Sequence, residues 1–346
     1  MQDFDASAGR LRDEKQGAQV LTRGGQRLLL SARGARVMAV GAQGVPCFPF
    51  YLADDGAGEL GGGDRLWLGP EVAWFWPSLG HAREDPVKHA RVPGEVDPGV
   101  YGAQGHPGGG AVTLRAEMDL RDARDGRRLR LEVERSIRLL DPPGGLPEGV
   151  AGVGYATTHR LRVQNPEGEP GPVASAWSIA QVPPGGTLVC PTPRRLSVEA
   201  DVTSYYDDFG PDHVRAGEDA VRFVVDARRR VKMGLKAEDT TGRMGYLRPL
   251  GDGRASLILR FFPAHVGESY CDVPRSADAG VRSGGDCLQA YNDDLTYGAF
   301  GEMEHHDPAV AVGGVQRQAH ASTTLILAGP DPAVRAHGSR LLGARL

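Results

Sequence analysis

The stretch RLRLEVERSIRLL, residues 128–140, decides the fold. Leu129, Leu131 and Val133 alternate with Arg130, Glu132 and Glu134. That period of two belongs to a strand with one apolar and one wet face. THRLRVQN (158–165) repeats it, setting Leu161 and Val163 against Arg160 and Arg162, and AVTLRAEMDL (111–120) repeats it again. ASLILRFFP (255–263) and STTLILAG (322–329) are more continuously apolar, as expected of strands covered on both faces. Turn-forming runs such as NPEGEPGP, VPPGG and PLGDGR separate these segments. Counted this way the chain holds roughly fifteen to twenty strands, the spacing of a sandwich or barrel. Only DEKQGAQVLTR (13–23) and DPAVRAHGSRLLGARL (331–346) suggest helix; the second has Asp331 as cap and Pro332 at the first helical position. Strands and helices do not alternate, which excludes a doubly wound α/β fold. The expected organisation is a peripheral segment over residues 1–20 and a single all-β domain over 21–346.

Composition narrows the function classes. With 49 Gly and 25 Pro in 346 residues, the chain is rich in turns. A net charge of -4 gives no basis for a nucleic-acid surface. The basic run DARRRVK (226–232) reads as a solvated turn or strand edge. Cys47, Cys190, Cys271 and Cys287 form no CxxC pair, so neither a zinc knuckle nor a redox motif is present. They read as buried thiols of a reducing compartment, with a Cys271–Cys287 disulfide as the alternative. The N-terminus carries no apolar run, and no segment reaches the ~20 apolar residues that span a bilayer. A cytoplasmic protein without membrane contact is the expectation, and no cofactor is implied.

Several segments together resemble the galactose-mutarotase-like (aldose epimerase-like) superfamily, closest to an uncharacterised bacterial branch of it. They are QRLLLSARGARVMAVG (26–41), GGGDRLWLGPE (61–71), THRLRVQN, SAWSIAQVPPGG (175–186), YNDDLTYGAFGEMEHHDPAV (291–310) and QRQAHASTTLILAG (316–329). The resemblance implies a large antiparallel β-supersandwich whose concave face holds a carbohydrate. In true aldose mutarotases an Asn-Arg pair binds sugar hydroxyls, His residues act as acid and a late Glu as base. Here Asp64-Arg65 stands at the Asn-Arg position, and Glu302 or Glu304 in the late-Glu segment. The Leu-His-Gly-Gly and His-Tyr-Phe-Asn motifs are not recognisable; His106, in GHPGGG, lies near the first.

As a strand, GEMEHH (301–306) projects Glu302, Glu304 and His306 to one face and Met303 and His305 to the other. Two carboxylates side by side raise the proton affinity of one, the pairing that acid–base chemistry uses. The alternatives are a solvated face, salt-bridged to Arg65 or Arg317, or a metal triad; three ligands on one strand without a second cluster make a poor metal site, and none is expected. His81 and His106 are the further candidates for a catalytic acid. WLGPEVAWFWPSLGH (67–81) supplies Trp67, Glu71, Trp74 and Trp76, and SAWSIAQ adds Trp177 and Gln181, which share a face; indole rings suit sugar faces but also fill cores. Lys236, Asn292 and His320 complete the candidate substrate-binding set. The leading function is a sugar epimerase or mutarotase. A non-catalytic carbohydrate-binding protein, or a glycoside hydrolase or lyase, is the alternative. The sequence carries no sign of oligomeric state.

Overall fold

The computed structural model describes residues 4–5, 8–9, 17–42, 45–49, 62–84, 86–105, 109–164, 174–206, 208–274, 284–311 and 320–346. The alternating stretch at residues 128–140 forms the strand Arg128–Leu139, paired on both sides with Ala111–Arg121 and Ala151–Gln164. These three strands bury one face and expose the other, where ion pairs such as Arg115–Glu134 (2.7 Å) and Arg162–Glu132 (3.3 Å) join neighbours. They lie toward one end of a ten-stranded antiparallel sheet. Its spatial order is Val214–Ala216, Ala220–Val225, Gly186–Pro191, Arg243–Gly251, Arg254–Phe261, His320–Pro330, Ala151–Gln164, Arg128–Leu139, Ala111–Arg121 and Gly102–Gln104.

A second ten-stranded antiparallel sheet packs against it. Its order is Gln19–Arg23, Gln26–Ser31, Arg36–Ala42, Asp64–Gly69, Ser175–Val182, Gly301–His306, Leu288–Asn292, Val231–Leu235 and Thr203–Ser204, with Val45–Pro49 also on Arg36–Ala42. We call this the site sheet. Its central strands are buried on both faces. One face meets the other sheet in the main hydrophobic core, and the opposite, outer face carries the candidate site.

The continuously apolar strands have the expected cover. The helix Asp331–Leu342 lies on Arg243–Gly251, Arg254–Phe261 and His320–Pro330, packing Val334 and Leu342 with Leu257, Leu259 and Leu327. Its N-cap is Pro330, one residue before the expected Asp331, whose carboxylate instead accepts from Arg335 Nε one turn on (2.8 Å). Gly343 ends the helix at φ 79°, a left-handed conformation that favours glycine. DEKQGAQVLTR is not a helix where described: Gln19–Arg23 is an edge strand that turns into Gln26–Ser31. Phe4 and Ala8 pack on Leu29, Met38 and Ala39, so part of the N-terminal segment adds to the burial of the site sheet. The aromatic cluster, unmarked by any period, forms the short helices Glu71–Trp74, Leu79–Glu84 and Pro86–His89. Cys190, Cys271 and Cys287 are free and buried, and burial pushes the Cys271 and Cys287 thiols up to about 12.

Candidate functional site

Strand register builds the site. Gly301–His306 lies between Ser175–Val182 and Leu288–Asn292, with Glu302 opposite Gln181 and Tyr291, and Glu304 opposite Ile179 and Gln289. The period of two then places Glu302, Glu304 and His306 on the outer face together with Arg65, Trp67, Trp177, Gln181, Gln289, Tyr291 and Lys232. Glu302 Oε1 accepts from Arg65 Nη2 (2.8 Å) and Gln181 Nε2 (3.0 Å). The Arg65 guanidinium lies 4.2 Å from the centroid of the Trp67 ring. Glu304 Oε2 accepts from Trp177 Nε1 (2.9 Å) and lies 3.3 Å from Lys232 Nζ. The same ammonium is 3.4 Å from Glu71 Oε2 and faces the rings of Trp177 (4.4 Å) and Tyr205 (5.0 Å). His306 stacks on Trp177 at 5.1 Å, and its Nδ1 meets Ser175 Oγ at 3.2 Å.

A second tier of acids supports these groups. Asp272 accepts from the Glu71 backbone N–H (2.6 Å) and from Gln289 Nε2 (2.7 Å), and its Oδ2 lies 3.8 Å from His306 Nε2. The Tyr205 hydroxyl donates to Asp286 Oδ2 (2.9 Å), which also receives support from Thr203. Two glycines let these side chains approach. A Cβ at Gly69 would press on Ser175 and His306, and one at Gly234 would collide with the Asp286 carboxylate.

Burial sets the proton affinities. It pushes Glu304 up to about 8 against the lowering pull of Lys232, with Glu302 and Glu71 adding to the rise. Burial also opposes the charge on Lys232, but Glu304, Glu71 and Asp272 outweigh it and hold the ammonium above the ordinary lysine range. Burial pushes Asp286 up to about 7. His306 is driven well below the ordinary histidine value by burial and then by Lys232, so its imidazole is neutral. Glu302 and Glu71 keep 10% and 16% of their side-chain surface, whereas Glu304 and His306 keep none, which puts the solvent side of the cluster at Glu302 and Glu71. Glu304 Oε1, Gln289 Oε1 and His306 Nε2 are buried atoms of this face without a hydrogen-bond partner among the described residues.

The structure thus gathers Arg65, Trp67, Glu71, Trp177, Gln181, Glu302, Glu304 and His306, all named from the sequence. It moves others away. Asp64 points between the sheets, where Arg135 Nη2 (2.8 Å), Arg260 Nη2 (2.6 Å) and Tyr155 Oη (2.6 Å) donate to it, because it is one residue from Arg65 on a strand. Asn292 fastens a turn: its Oδ1 accepts from the backbone of Asp226 and Ala227, and its Nδ2 donates to Asp226 and Arg229. Trp74 and Trp76 are buried in the same hydrophobic cluster as Trp67 and Trp177, but they come from the helix Glu71–Trp74 and the bend after it rather than from a strand of the site sheet. His81 sits in a short helix, bonded to Ser78 Oγ (2.7 Å) and packed on His89. Lys236 is exposed, beyond the strand end. His106 lies outside the described residues. His320 pairs with His159 at a strand end, and its side chain is likewise outside the description.

Sequence reading missed Lys232, Gln289, Tyr205, Asp272 and Asp286. Lys232 ends the run DARRRVK, which reads as solvated; in VKMGL it alternates with Val231 and Met233, which gives its face but not that the face is covered. Tyr205 follows the two-residue strand Thr203–Ser204 and the two aspartates lie outside regular strands, so none of the three carries a periodic signal.

Two packed, ten-stranded antiparallel sheets with the acid cluster on an outer face define a galactose-mutarotase-like β-supersandwich. A candidate aldose 1-epimerase of Escherichia coli K12 shares the fold, with a TM-score of 0.51 and 12% identity over 90% of this chain and 98% of that one. A galactose mutarotase-like protein of Lactobacillus casei ATCC 334 aligns with a TM-score of 0.42 and 9% identity over 90% and 99% of the two chains. The chain belongs to DUF6786, a family of unknown function, whose model matches residues 52–346. No curated protein matches it. Among the described residues, no helix is long and apolar enough to cross a membrane, and no three His, Cys, Asp or Glu form a group able to hold a metal ion.

Proposed function

We propose that the outer face of the site sheet binds a sugar or sugar derivative and interconverts its anomers as an aldose epimerase-like isomerase. One observation carries this reading: Glu304 is wholly buried, has one oxygen engaged by Trp177 and Lys232, and has the other without a partner among the described residues. Burial pushes its carboxyl up to about 8, so near neutral pH it is largely a proton donor. Glu302, held by Arg65 and Gln181, is the acceptor. In this scheme Glu302 takes the anomeric hydroxyl proton while Glu304 delivers its proton to the ring oxygen. The bond from the anomeric carbon to that oxygen breaks, and the carbonyl forms. Rotation and the reverse transfers close the ring as the other anomer. The indoles of Trp67 and Trp177 supply apolar ring surface. The donor is Glu304 rather than His306, whose neutral imidazole is not an acid near pH 7.

The hydrolase alternative loses support, because the Lys232 ammonium fills the space between Glu71 and Glu304 where a glycosidic bond would lie. Binding without turnover is the remaining competitor. Exchange NMR on wild type and Glu304→Gln decides between them. Isomerisation is expected to fall roughly a hundredfold in the variant, with sugar contact retained in saturation transfer. The wild-type rate should decline as pH rises through about 8, because the donor form of Glu304 is then lost. A variant keeping more than about a tenth of the rate would remove Glu304 from the reaction. Contact without exchange in the wild type would make this a binding protein.

A further inference from the structure

Gln289 has no part in the proton transfers above, yet its amide is held in one orientation beside Glu304. Its Nε2 donates to Tyr205 Oη (2.6 Å) and to Asp272 Oδ2 (2.7 Å), which uses both of its N–H groups. The other oxygen of Asp272 accepts the Glu71 backbone N–H (2.6 Å). Tyr205 turns its own proton to Asp286 Oδ2 (2.9 Å) or to the Asp272 carbonyl (3.0 Å). Both partners of Nε2 therefore present lone pairs to it, and a flipped amide would set its oxygen against the Asp272 carboxylate. Gln289 Oε1 is thus fixed as an acceptor. It is buried and has no hydrogen-bond partner among the described residues.

Glu304 is the residue directly paired with Gln289 on the adjoining strand. Paired side chains start about 4.5–5.5 Å apart. Glu304 Oε2 accepts from Trp177 and faces the Lys232 ammonium, so the proton of the neutral carboxyl sits on Oε1. No hydrogen bond joins that oxygen to Gln289 Oε1. A donor and an acceptor then face the reacting oxygen from two neighbouring strands. The closed and open forms of a pyranose differ in what they offer this pair. A ring oxygen bears no hydrogen: it accepts from Glu304 but turns lone pairs toward Gln289. When its bond to the anomeric carbon breaks, the electron pair stays on that oxygen, which takes the Glu304 proton and becomes the 5-hydroxyl of the open chain. That hydroxyl has a hydrogen to give to Gln289 Oε1. An interaction made only as the bond breaks speeds the step, whereas one made equally with both forms does not.

We infer, resting on the isomerase reading above, that Gln289 is a further catalytic residue, whose Oε1 accepts from the 5-hydroxyl as the pyranose ring opens. Saturation-transfer titrations on the full chain test this with D-glucitol and D-galactitol, which carry the open-chain 5-hydroxyl, and with their 1,5-anhydro derivatives, which keep the closed ring and cannot react. Gln289→Met preserves the length of the side chain and removes the acceptor. It should weaken alditol binding about tenfold, the effect of one buried hydrogen bond, and leave the 1,5-anhydro sugar bound as before or slightly tighter. Exchange NMR should show kcat lowered about tenfold with KM unchanged or lower, the split expected when an interaction peculiar to the open form is lost. Should the variant not fold, the wild type decides alone: it should bind an alditol about tenfold tighter than the 5-deoxy derivative of that alditol. A variant that weakens alditol and anhydro sugar alike, or neither, would overturn the role of Gln289 and leave the sugar site standing, as would equal binding of an alditol and its 5-deoxy derivative. Contact without anomeric exchange in the wild type would overturn the isomerase reading and this inference together. Absence of contact with every probe and every free sugar would overturn the sugar site as well.

Discussion

Replacing Lys232 by Met should destabilise the protein by about 3–5 kcal/mol at alkaline pH, the range for breaking one side of a buried ion pair. The side chain is 4% exposed, and its ammonium lies within 3.4 Å of both Glu71 and Glu304. Methionine fills a similar volume, so the loss is electrostatic rather than a cavity effect. Two carboxylates then face each other without a cation. The pH dependence identifies the mechanism. Glu304 is raised in the folded state, so the stability it contributes is fully present below the ordinary carboxylate value and is lost as pH rises through about 8. Removing Lys232 removes the largest lowering influence, so the folded value climbs further. The difference from wild type should therefore be smaller at about pH 6, where Glu304 is protonated in both proteins, and largest at about pH 9. Across that window Lys232 itself stays charged, since its own folded value is raised. Urea unfolding at the two pH values measures the effect, and Lys232→Arg should recover part of it. A loss that does not change with pH would mean that Lys232 does not control Glu304.

Much of this arrangement is legible in strand parity, and the illegible part has a physical cause. The alternation that puts Leu129, Leu131 and Val133 on the core face continues to position 135, so Arg135 lies inside with them. His159 shares the parity of Leu161 and Val163 and is buried in the same way. Followed along the strand, the pattern marks both as buried polar groups in need of partners. Parity also places Glu302, Glu304 and His306 together and separates Asp64 from Arg65. It cannot report whether the second face of a sheet is covered. Lys232 and Gln289 look solvated by the pattern of one wet face, yet they are buried because the site sheet is covered on both sides. Asp272 and Asp286 reach the site from irregular segments whose path is fixed by tertiary contacts, so no local pattern announces them.

Asp64 is the site at which one substitution should weaken the fold most directly. Its carboxylate is 1% exposed and accepts from Arg135, Arg260 and Tyr155, joining three strands of the opposite sheet to the site sheet. Burial works to raise its proton affinity, but the guanidinium groups of Arg260 and Arg135 and the Tyr155 hydroxyl outweigh it and hold the carboxyl below the ordinary range. A depressed folded value means that its stabilisation is present above the ordinary carboxylate value and lost as pH falls through the folded one. Asp64→Ala leaves two guanidinium groups buried against each other without an anion, and a phenol without its acceptor. The expected cost is about 3–5 kcal/mol, out of a total that for most domains is about 5–15 kcal/mol. Because the loss comes from stranded cations, Asp64→Ala combined with Arg260→Met should cost less than the sum of the two single changes. Urea unfolding of the four proteins completes the cycle. Additive costs, or a loss below about 1 kcal/mol for Asp64→Ala, would show that the carboxylate does not hold the two sheets together. Arg65 pairs with Glu302 on the opposite face of the same strand, so the two outcomes separate sheet-to-sheet cohesion from the sugar site.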